Sequence, residues 1–253
     1  MNAAPLIAVR HLAKSFGKQR VLEDIALEVP AGSTTVILGP SGCGKTVLLK
    51  HIIGLLKPDA GEVIVEGEDI VPMAQRQIDQ VRRKFGMVFQ ASALFDSMTV
   101  GENVAFPQRE HAPLPEVELR HRVEERLEHV GLSGVFDKFP SDLSGGMKKR
   151  VALARALMLD PKIVLYDEPT TGLDPITTDS VDEMIMTAKK KFGVTSVVIS
   201  HDIGSAFKVA DQLAVLHQGR FVAIGAPEAV RHSDHPFVKS FFALWFSKGV
   251  ATS

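Results

Sequence analysis

The sequence predicts an α/β protein with a strand-rich core and one inserted helical lobe. A short apolar run, Thr34–Leu38, leads directly into a glycine-rich loop that is followed by a helical pattern. A second apolar run, Ile163–Tyr166, ends at the acidic pair Asp167 and Glu168. Between the two, from residue 91 to about residue 159, helical patterns replace strand patterns. These three observations place the core on both sides of the lobe.

The individual elements follow from short apolar runs bounded by turn residues. Strands are predicted at Leu22–Val29, Thr34–Leu38, Glu62–Val65, Gly86–Phe89, Ile163–Tyr166, Ser196–Ile199, Leu213–Leu216 and Phe221–Ile224. Helices are predicted at Val47–Leu56, Glu116–Val130 and Gly146–Leu159. We therefore expect one domain over residues 1–253, with its core in 1–90 and 160–230. The helical subdomain occupies 91–159, and a helical tail occupies 231–253.

Composition places the chain among ordinary globular proteins, with 253 residues, 45% apolar residues and 23% charged residues. A net charge of −1 provides no basic excess, which argues against nucleic-acid binding. The single cysteine, Cys43, cannot form an internal disulfide and suits a reducing compartment. No apolar run approaches the length of a membrane span, and the first residues lack a signal-peptide pattern. We therefore expect a soluble, cytoplasmic chain.

The glycine-rich loop matches the pattern G-x-x-x-x-G-K-[ST] in full. Its residues are Gly39, Pro40, Ser41, Gly42, Cys43, Gly44, Lys45 and Thr46. Glycines let successive backbone N–H groups converge on phosphate oxygens, and the following helix N-terminus adds positive charge. Lys45 is expected to reach the β- and γ-phosphates of a nucleotide, and the Thr46 hydroxyl to bind Mg²⁺. The alternatives are a plain glycine-rich turn and, for Cys43, a redox switch instead of an incidental loop residue.

The acidic pair at the end of the second run supplies complementary chemistry. Mg²⁺ prefers oxygen ligands and keeps several waters, so Asp167 is expected to hold it through water. Glu168 is expected to point at the attacking water. A lone acidic pair could also be a solvated turn, but the residues that follow, PTTGLDP at 169–175, favour the functional interpretation.

The stretch LSGGM at 143–147 lies between the loop and the acidic strand. With the loop, LSGG, the acidic strand, GLDP and a later histidine in this order, residues 7–225 resemble the nucleotide-binding subunit of ABC transporters. The resemblance implies a P-loop NTPase core with a mixed β-sheet, an antiparallel β subdomain and an inserted α-helical subdomain. It also implies hydrolysis of ATP with Mg²⁺ by a homodimer.

The resemblance assigns roles to single residues. Phe16 would stack on adenine, although tyrosine is commoner there, and Gln90 would sense the metal and the attacking water. His201, after the strand, would contact the γ-phosphate. Thr46, Gln90 and Asp167 form the metal set. Glu168 is either the proton acceptor or an electrostatic positioner, and the sequence leaves both open.

A further set of residues would act across the dimer. Ser144, Gly145 and Gly146 would face the γ-phosphate bound by the other subunit, and Asp174 would link the two sites. Met147 stands where glutamine is often found, which marks a subfamily. ATP bound in this way would join two subunits, and its hydrolysis would release them.

Four phrases, at residues 89–100, 102–111, 143–150 and 167–177, resemble the ATPase of Mla/Mce-type phospholipid transport systems. The implied partners are an integral-membrane permease and an Mce-domain substrate-binding protein, at the cytoplasmic face of the inner membrane. Importers of amino acids and other substrates share most of these motifs, so another substrate stays open. A soluble ABC ATPase of DNA repair or translation is less favoured, because no second cassette or coiled-coil insertion is present. A GTPase or phosphoryl transferase is disfavoured by LSGG and His201.

Two surfaces carry further predictions. The candidates for permease contact are Ala93, Leu94, Phe95 and Met98, while a place for Phe95 in the core of the lobe is equally open. The tail carries aromatic residues at helical spacing: Phe237, Phe241, Phe242, Trp245 and Phe246. We favour a helix packed on its own domain. A contact with the dimer partner or with a small regulatory protein is the second interpretation, and basic residues are too few for a membrane surface.

Overall fold

The computed structural model describes residues 4–249, except for the side chains of residues 244 and 246–249. The strands are β1 (Pro5–Phe16), β2 (Gln19–Pro30), β3 (Thr34–Leu38), β4 (Ala60–Val65), β5 (Glu68–Asp69), β6 (Phe85–Val88), β7 (Ile163–Asp167), β8 (Thr195–Ser200), β9 (Gln212–His217) and β10 (Arg220–Gly225). The helices are α1 (Lys45–Ile52), α2 (Gln75–Arg82), α3 (Val100–His111), α4 (Glu116–His129), α5 (Gly145–Ala156), α6 (Pro175–Phe192), α7 (Ile203–Val209), α8 (Pro227–Arg231) and α9 (Pro236–Gly249). Within residues 4–249 none of these helices combines the length and apolarity that crossing a bilayer requires.

The chain divides into two compact units. Of the described residues, the first unit contains 4–82 and 197–249, and the second contains Arg83–Ser196.

The first unit contains two kinds of sheet. Strands β2, β1, β4 and β5 form an antiparallel sheet in that order, and strands β10, β9, β3 and β8 are neighbours in another. β3 runs parallel to β9, whereas β9 and β10 are antiparallel, so the second sheet is mixed. All five residues of β3 are buried, as a central strand requires. These features confirm the predicted α/β class with its mixed sheet and antiparallel sheet.

The second unit carries the helices of the insertion. β6 and β7 pair in parallel, and the fully described chain between them forms α3, α4, a short 3₁₀ turn and α5, with no strand. α5 packs closely on β6: a Cβ added to Gly86 would lie 2.5 Å from the carbonyl oxygen of Ala156. The close approach of helix and strand therefore requires glycine at position 86.

The predicted strands are confirmed, and the helix bounds need correction. α1 ends at Ile52 and not at residue 56, because Gly54 takes φ +69° and the amides of Leu55 and Leu56 both bond to the carbonyl of Lys50. α5 ends at Ala156 and not at residue 159. Strands β1 and β5 and helices α2, α3, α6, α7 and α8 are not among the predicted elements.

The aromatic tail forms α9 and packs within the first unit. The ring of Phe237 stacks on His217 with centroids 3.6 Å apart, and the buried Phe242 meets Phe207 edge to face at 5.5 Å. Trp245 reaches Gly204, yet 41% of its surface is exposed. This pattern fits a helix packed on its own domain; the side chain of Phe246 lies outside the described residues.

Replacing Phe242 with alanine should lower the free energy of unfolding by about 3–5 kcal/mol, because it deletes a fully buried ring. Chemical denaturation measures this change. The matched control is Phe139→Ala, since Phe139 is 44% exposed. Equal losses for the two variants would show that α9 contributes no core to the unit.

Candidate functional site

The phosphate loop joins a buried strand to a helix in the first unit. β3 ends at Leu38, and α1 begins at Lys45 after Gly44, which adopts φ +110°. The Lys45 side chain is 6% exposed, and its Nζ donates to the carbonyl oxygens of Gly39 (2.7 Å) and Pro40 (3.2 Å). Its ammonium group is therefore held against the loop backbone. The next residue, Thr46, is exposed.

Close approach explains two of the loop's glycines. A Cβ on Gly39 would lie 2.3 Å from the carbonyl oxygen of Leu216 in β9 and 2.8 Å from Cys43 Sγ. A Cβ on Gly44 would lie 2.8 Å from Leu22 Cδ2, in addition to its positive φ. The loop thus fits tightly between β9 and β2. In contrast, Ser41 and Gly42 are exposed, so the outer backbone of the loop is accessible to an anion.

Two further predicted residues lie in the same unit. Phe16 ends β1 just before Gly17, and 49% of its surface is exposed, as a ring that stacks on a ligand requires. Lys14 Nζ lies 5.7 Å from the centroid of that ring. His201 is exposed and directly follows β8, the strand beside β3. It precedes Asp202, whose carboxylate caps α7 by accepting from the Ser205 amide.

The second unit brings Gln90, Asp167 and Glu168 to one edge of a sheet. β6 and β7 are parallel with Val88 paired to Tyr166, so both strands end at the same edge. Gln90 and Glu168 each follow that pair by two residues. Gln90 is exposed, whereas Asp167 and Glu168 are half-buried. The preceding residues of β7, Ile163–Tyr166, are wholly buried, and burial raises the pKa of Tyr166.

Glu168 has an unusual backbone. Its φ is +50°, a left-handed conformation that a non-glycine residue adopts at an energetic cost. Thr171 stabilises it from the following turn, because its hydroxyl donates to Glu168 Oε2 at 3.1 Å and its amide to the Glu168 carbonyl at 3.3 Å. Thr171 was not among the predicted site residues. Its place in the PTTGLDP stretch, next to the acidic pair, is the signal that could have identified it.

Ser144 and Asp174 each begin a helix. The Ser144 hydroxyl accepts from the Met147 amide at 3.3 Å and caps α5, and Gly145 after it is exposed. Asp174 caps α6 by accepting from the amides of Ile176 and Thr177, and the hydrogen bond from the Thr177 hydroxyl keeps the pKa of Asp174 below its usual value.

The two caps lie close together. A Cβ added to Gly146 would be 3.0 Å from Thr177 Cγ2, so the first turns of α5 and α6 are in contact. The start of α5 presents a serine hydroxyl and the first amides of a helix, a combination that suits an anion.

The available donors suit a hard cation such as Mg²⁺. In the first unit Thr46 offers an exposed hydroxyl. In the second unit Asp167 offers a half-buried carboxylate and Gln90 an exposed amide oxygen. Among the described residues no group of three His, Cys, Asp or Glu side chains could form a protein cage for a metal. A small set of oxygen donors is typical of Mg²⁺, which is bound mainly by substrate phosphates and water.

The segment after Gln90 exposes an aromatic residue. Phe95 is 42% exposed, and its ring centroid lies 5.0 Å from that of Phe106. Both interpretations of Phe95 thus retain support. Asn103, fully buried on α3, donates to the carbonyls of Phe95, Met98 and Thr99 and accepts from the Phe95 amide.

The family model described as ABC transporter matches residues 22–171. The chain belongs to the ABC transporter family. It is an ATP hydrolase of the kind that forms dimers and works with membrane permease components.

Two groups of relatives within the family are similar to this chain over nearly its whole length. The Escherichia coli (strain K12) intermembrane phospholipid transport system ATP-binding protein MlaF is 41% identical over 240 residues, which are 95% of this chain and 89% of the relative. The Mycobacterium leprae probable ribonucleotide transport ATP-binding protein mkl is 44% identical over 235 residues, 93% of this chain. The chain spans about two thirds of the mycobacterial relatives, 68% in M. leprae and 66% in Mycobacterium tuberculosis.

Solved structures agree with the fold. The ABC transporter subunit cbiO1 of Clostridium perfringens has a TM-score of 0.84 at 32% identity, covering 90% of this chain and 91% of its own. The ATP-binding cassette MJ0796, a dimer in a post-hydrolysis state bound to ADP and Pi, has a TM-score of 0.78 at 30% identity, covering 87% and 98%. Both likenesses span both units of the fold.

Proposed function

We propose that this ATPase powers phospholipid transport across a bacterial envelope. The observation that carries the proposal is 41% identity over 95% of the chain to MlaF, a relative named for intermembrane phospholipid transport. A second relative of the same name, from Haemophilus influenzae, is also 41% identical over 93% of the chain. The cassette supplies the energy, and the membrane partner selects the cargo.

In the proposed site, the loop and its lysine bind the triphosphate of ATP. The Lys45 ammonium already lies against the loop carbonyls, so it can bond phosphate oxygens without crossing the loop. Phe16 offers an exposed ring for adenine, and His201 an exposed imidazole for the γ-phosphate. Thr46, Gln90 and Asp167 would hold Mg²⁺, which neutralises phosphate charge when bound.

Glu168 would orient and deprotonate the attacking water. Its left-handed backbone and the Thr171 hydrogen bond fix the carboxylate, as a preorganised base requires. Gln90 ends at the same sheet edge and would contact the same water.

Two copies of the chain would complete two sites. The exposed cap Ser144 and the amides of Gly145 and Gly146 form a helix N-terminus that suits an anion, in addition to the phosphate loop. We assign this start to the γ-phosphate bound by the partner subunit, with Asp174 linking the two sites. The partners would be a permease dimer and an Mce-domain protein, at the cytoplasmic face of the inner membrane.

A second candidate function is supported by the mycobacterial relatives, which are named for probable ribonucleotide transport. Their identity to this chain, 44–45%, is slightly higher than that of MlaF, but this chain covers less of their length.

Reconstitution of the cassette with its permease and Mce-domain protein in proteoliposomes tests the choice. We expect ATP-dependent transfer of a fluorescent phospholipid to acceptor vesicles, and no uptake of labelled ribonucleotide. Glu168→Gln in the same complex is the control for ATP dependence. Ribonucleotide uptake without lipid transfer would overturn the phospholipid proposal.

The exposed Phe95 gives a separate prediction about the permease. Phe95→Asp should leave hydrolysis by the isolated cassette unchanged and abolish transport, because a charge would be placed in an apolar docking surface. Phe139→Asp is a matched control, since Phe139 is 44% exposed in the same unit. Transport at the wild-type rate in Phe95→Asp would assign Phe95 to the lobe instead.

A further inference from the structure

Two cations of α5 hold the backbone of the segment that follows β6. Lys149 is 4% exposed, and its Nζ donates to the carbonyl oxygens of Phe89 (3.3 Å) and Gln90. Arg155 donates from Nη2 to the Ser92 carbonyl (2.9 Å) and from Nη1 to the Ala93 carbonyl (2.6 Å). We call residues 89–93 the Gln90 loop. Four of its five carbonyl groups are therefore bonded to one helix.

The backbone conformation of the Gln90 loop is unfavourable without these contacts. Ser92 and Ala93 have φ values of +62° and +47°, conformations that persist in non-glycine residues only when their surroundings hold them. The carbonyls of this strained pair are the two that Arg155 binds. Within the loop, a backbone hydrogen bond from the Ser92 amide to the Phe89 carbonyl at 2.9 Å also stabilises this conformation.

Burying the two charged side chains has an energetic cost. Burial lowers the pKa of Lys149 and of Arg155, which means that the protein disfavours their charge at these positions. Hydrogen bonds from a charged donor are stronger than neutral ones and compensate for the lost hydration. The bonds to the Gln90 loop are the compensation that the structure shows.

We propose that Lys149 and Arg155 are positioning residues for hydrolysis. They fasten the Gln90 loop to the helix that begins at Ser144, so that a movement of α5 moves Gln90 with it. A signal at the start of α5 would thereby reach the loop that carries Gln90. This inference rests on the proposed role of Gln90.

The structure offers matched controls on the same helix. Arg150 makes two comparable bonds, from Nη1 to the Val130 carbonyl and from Nη2 to the Ser180 hydroxyl, both at 2.7 Å, but none to the Gln90 loop. Lys148 is the neighbour of Lys149 and is half-buried. The four variants Lys149→Met, Arg155→Met, Lys148→Met and Arg150→Met therefore separate loop positioning from general packing of α5.

The experiment combines amide hydrogen exchange with steady-state ATPase kinetics on the full chain. Lys149→Met and Arg155→Met should exchange faster at residues 89–93 and lose about 10- to 100-fold in kcat, with little change in KM for ATP, since positioning and not binding is lost. Arg155→Lys should recover part of the kcat. Lys148→Met and Arg150→Met should keep both the protection of the loop and kcat, even if Arg150→Met lowers the melting temperature.

Three outcomes would overturn the inference. Unchanged exchange at residues 89–93 in Arg155→Met would show that the cation does not hold the loop. Faster exchange with unchanged kcat would show that holding it is irrelevant to hydrolysis, and an equal kcat loss in Arg150→Met would reduce the effect to packing. The readouts are amide exchange of the loop and ATP hydrolysis, neither of which involves the transported substrate, so a failure of the phospholipid proposal leaves them unaffected. Gln90→Ala tests the role of Gln90 separately.

Discussion

Replacing Glu168 with glutamine is expected to lower the turnover of ATP by about 10²- to 10⁴-fold, the range that follows loss of a general base. The amide keeps the shape of the side chain, so ATP binding should persist. The Thr171 hydroxyl can still donate to the amide oxygen, which preserves the local geometry. Phosphate release under saturating ATP and fluorescence binding of a labelled nucleotide measure the two quantities.

The comparison variant is Glu118→Gln, because Glu118 is exposed on α4 and far along the sequence from the acidic strand end. It should hydrolyse ATP at the wild-type rate. Full turnover in Glu168→Gln would remove Glu168 from its assigned role. A small loss, below tenfold, would identify the glutamate as an electrostatic positioner.

The second large effect is expected for Lys45→Ala. This change deletes the charged donor that lies against the phosphate loop, so nucleotide affinity and turnover should fall together. Charge-assisted hydrogen bonds contribute enough for an affinity loss of about 10- to 100-fold. Isothermal titration with ATP and the steady-state rate provide the two values.

Lys50→Ala is the control for this variant, since Lys50 lies on the same helix and is exposed. It should bind and hydrolyse ATP normally. If Lys45→Ala bound ATP as tightly as wild type and lost only turnover, the lysine would act on the transition state alone.

Much of the core could be predicted because its strands are continuous apolar runs. β3 and β7 to β10 lie close to their predicted bounds, and β3 matches them. β1 was missed because exposed and half-buried polar residues interrupt its pattern, and His11 takes φ +47° at a register shift. The polar–apolar alternation on which strand prediction relies is lost at such a bulge.

Two missed helices carried signals that could have identified them. α3 begins at a capping box, in which Thr99 and Glu102 exchange hydrogen bonds, although Pro107 inside the helix argues against it. α6 has Asp174 as its cap, Pro175 in its first turn and Gly193 in the left-handed conformation at its end. The interpretation of Asp174 as a dimer residue obscured its local role as a cap.

For the site, the sequence allows the reactive residues to be proposed but not the contacts that support them. The loop, the acidic pair and LSGG are contiguous motifs, so sequence spacing alone identifies them. Lys149 and Arg155 act on carbonyls about sixty residues away in sequence, and only the folded lobe brings them together. A motif cannot reveal such contacts, because the groups they bind are backbone atoms.

The central claim is that ATP lies between the phosphate loop of one subunit and Ser144 of its partner. The direct test mixes two inactive variants, Lys45→Ala and Ser144→Arg, in the permease-bound dimer. A mixed dimer keeps one intact site, formed by the Lys45 of one subunit and the Ser144 of the other. We expect the mixture to regain ATP turnover that neither variant has alone. A mixture as inactive as its two components, with mixed dimers shown to form, would contradict the shared site.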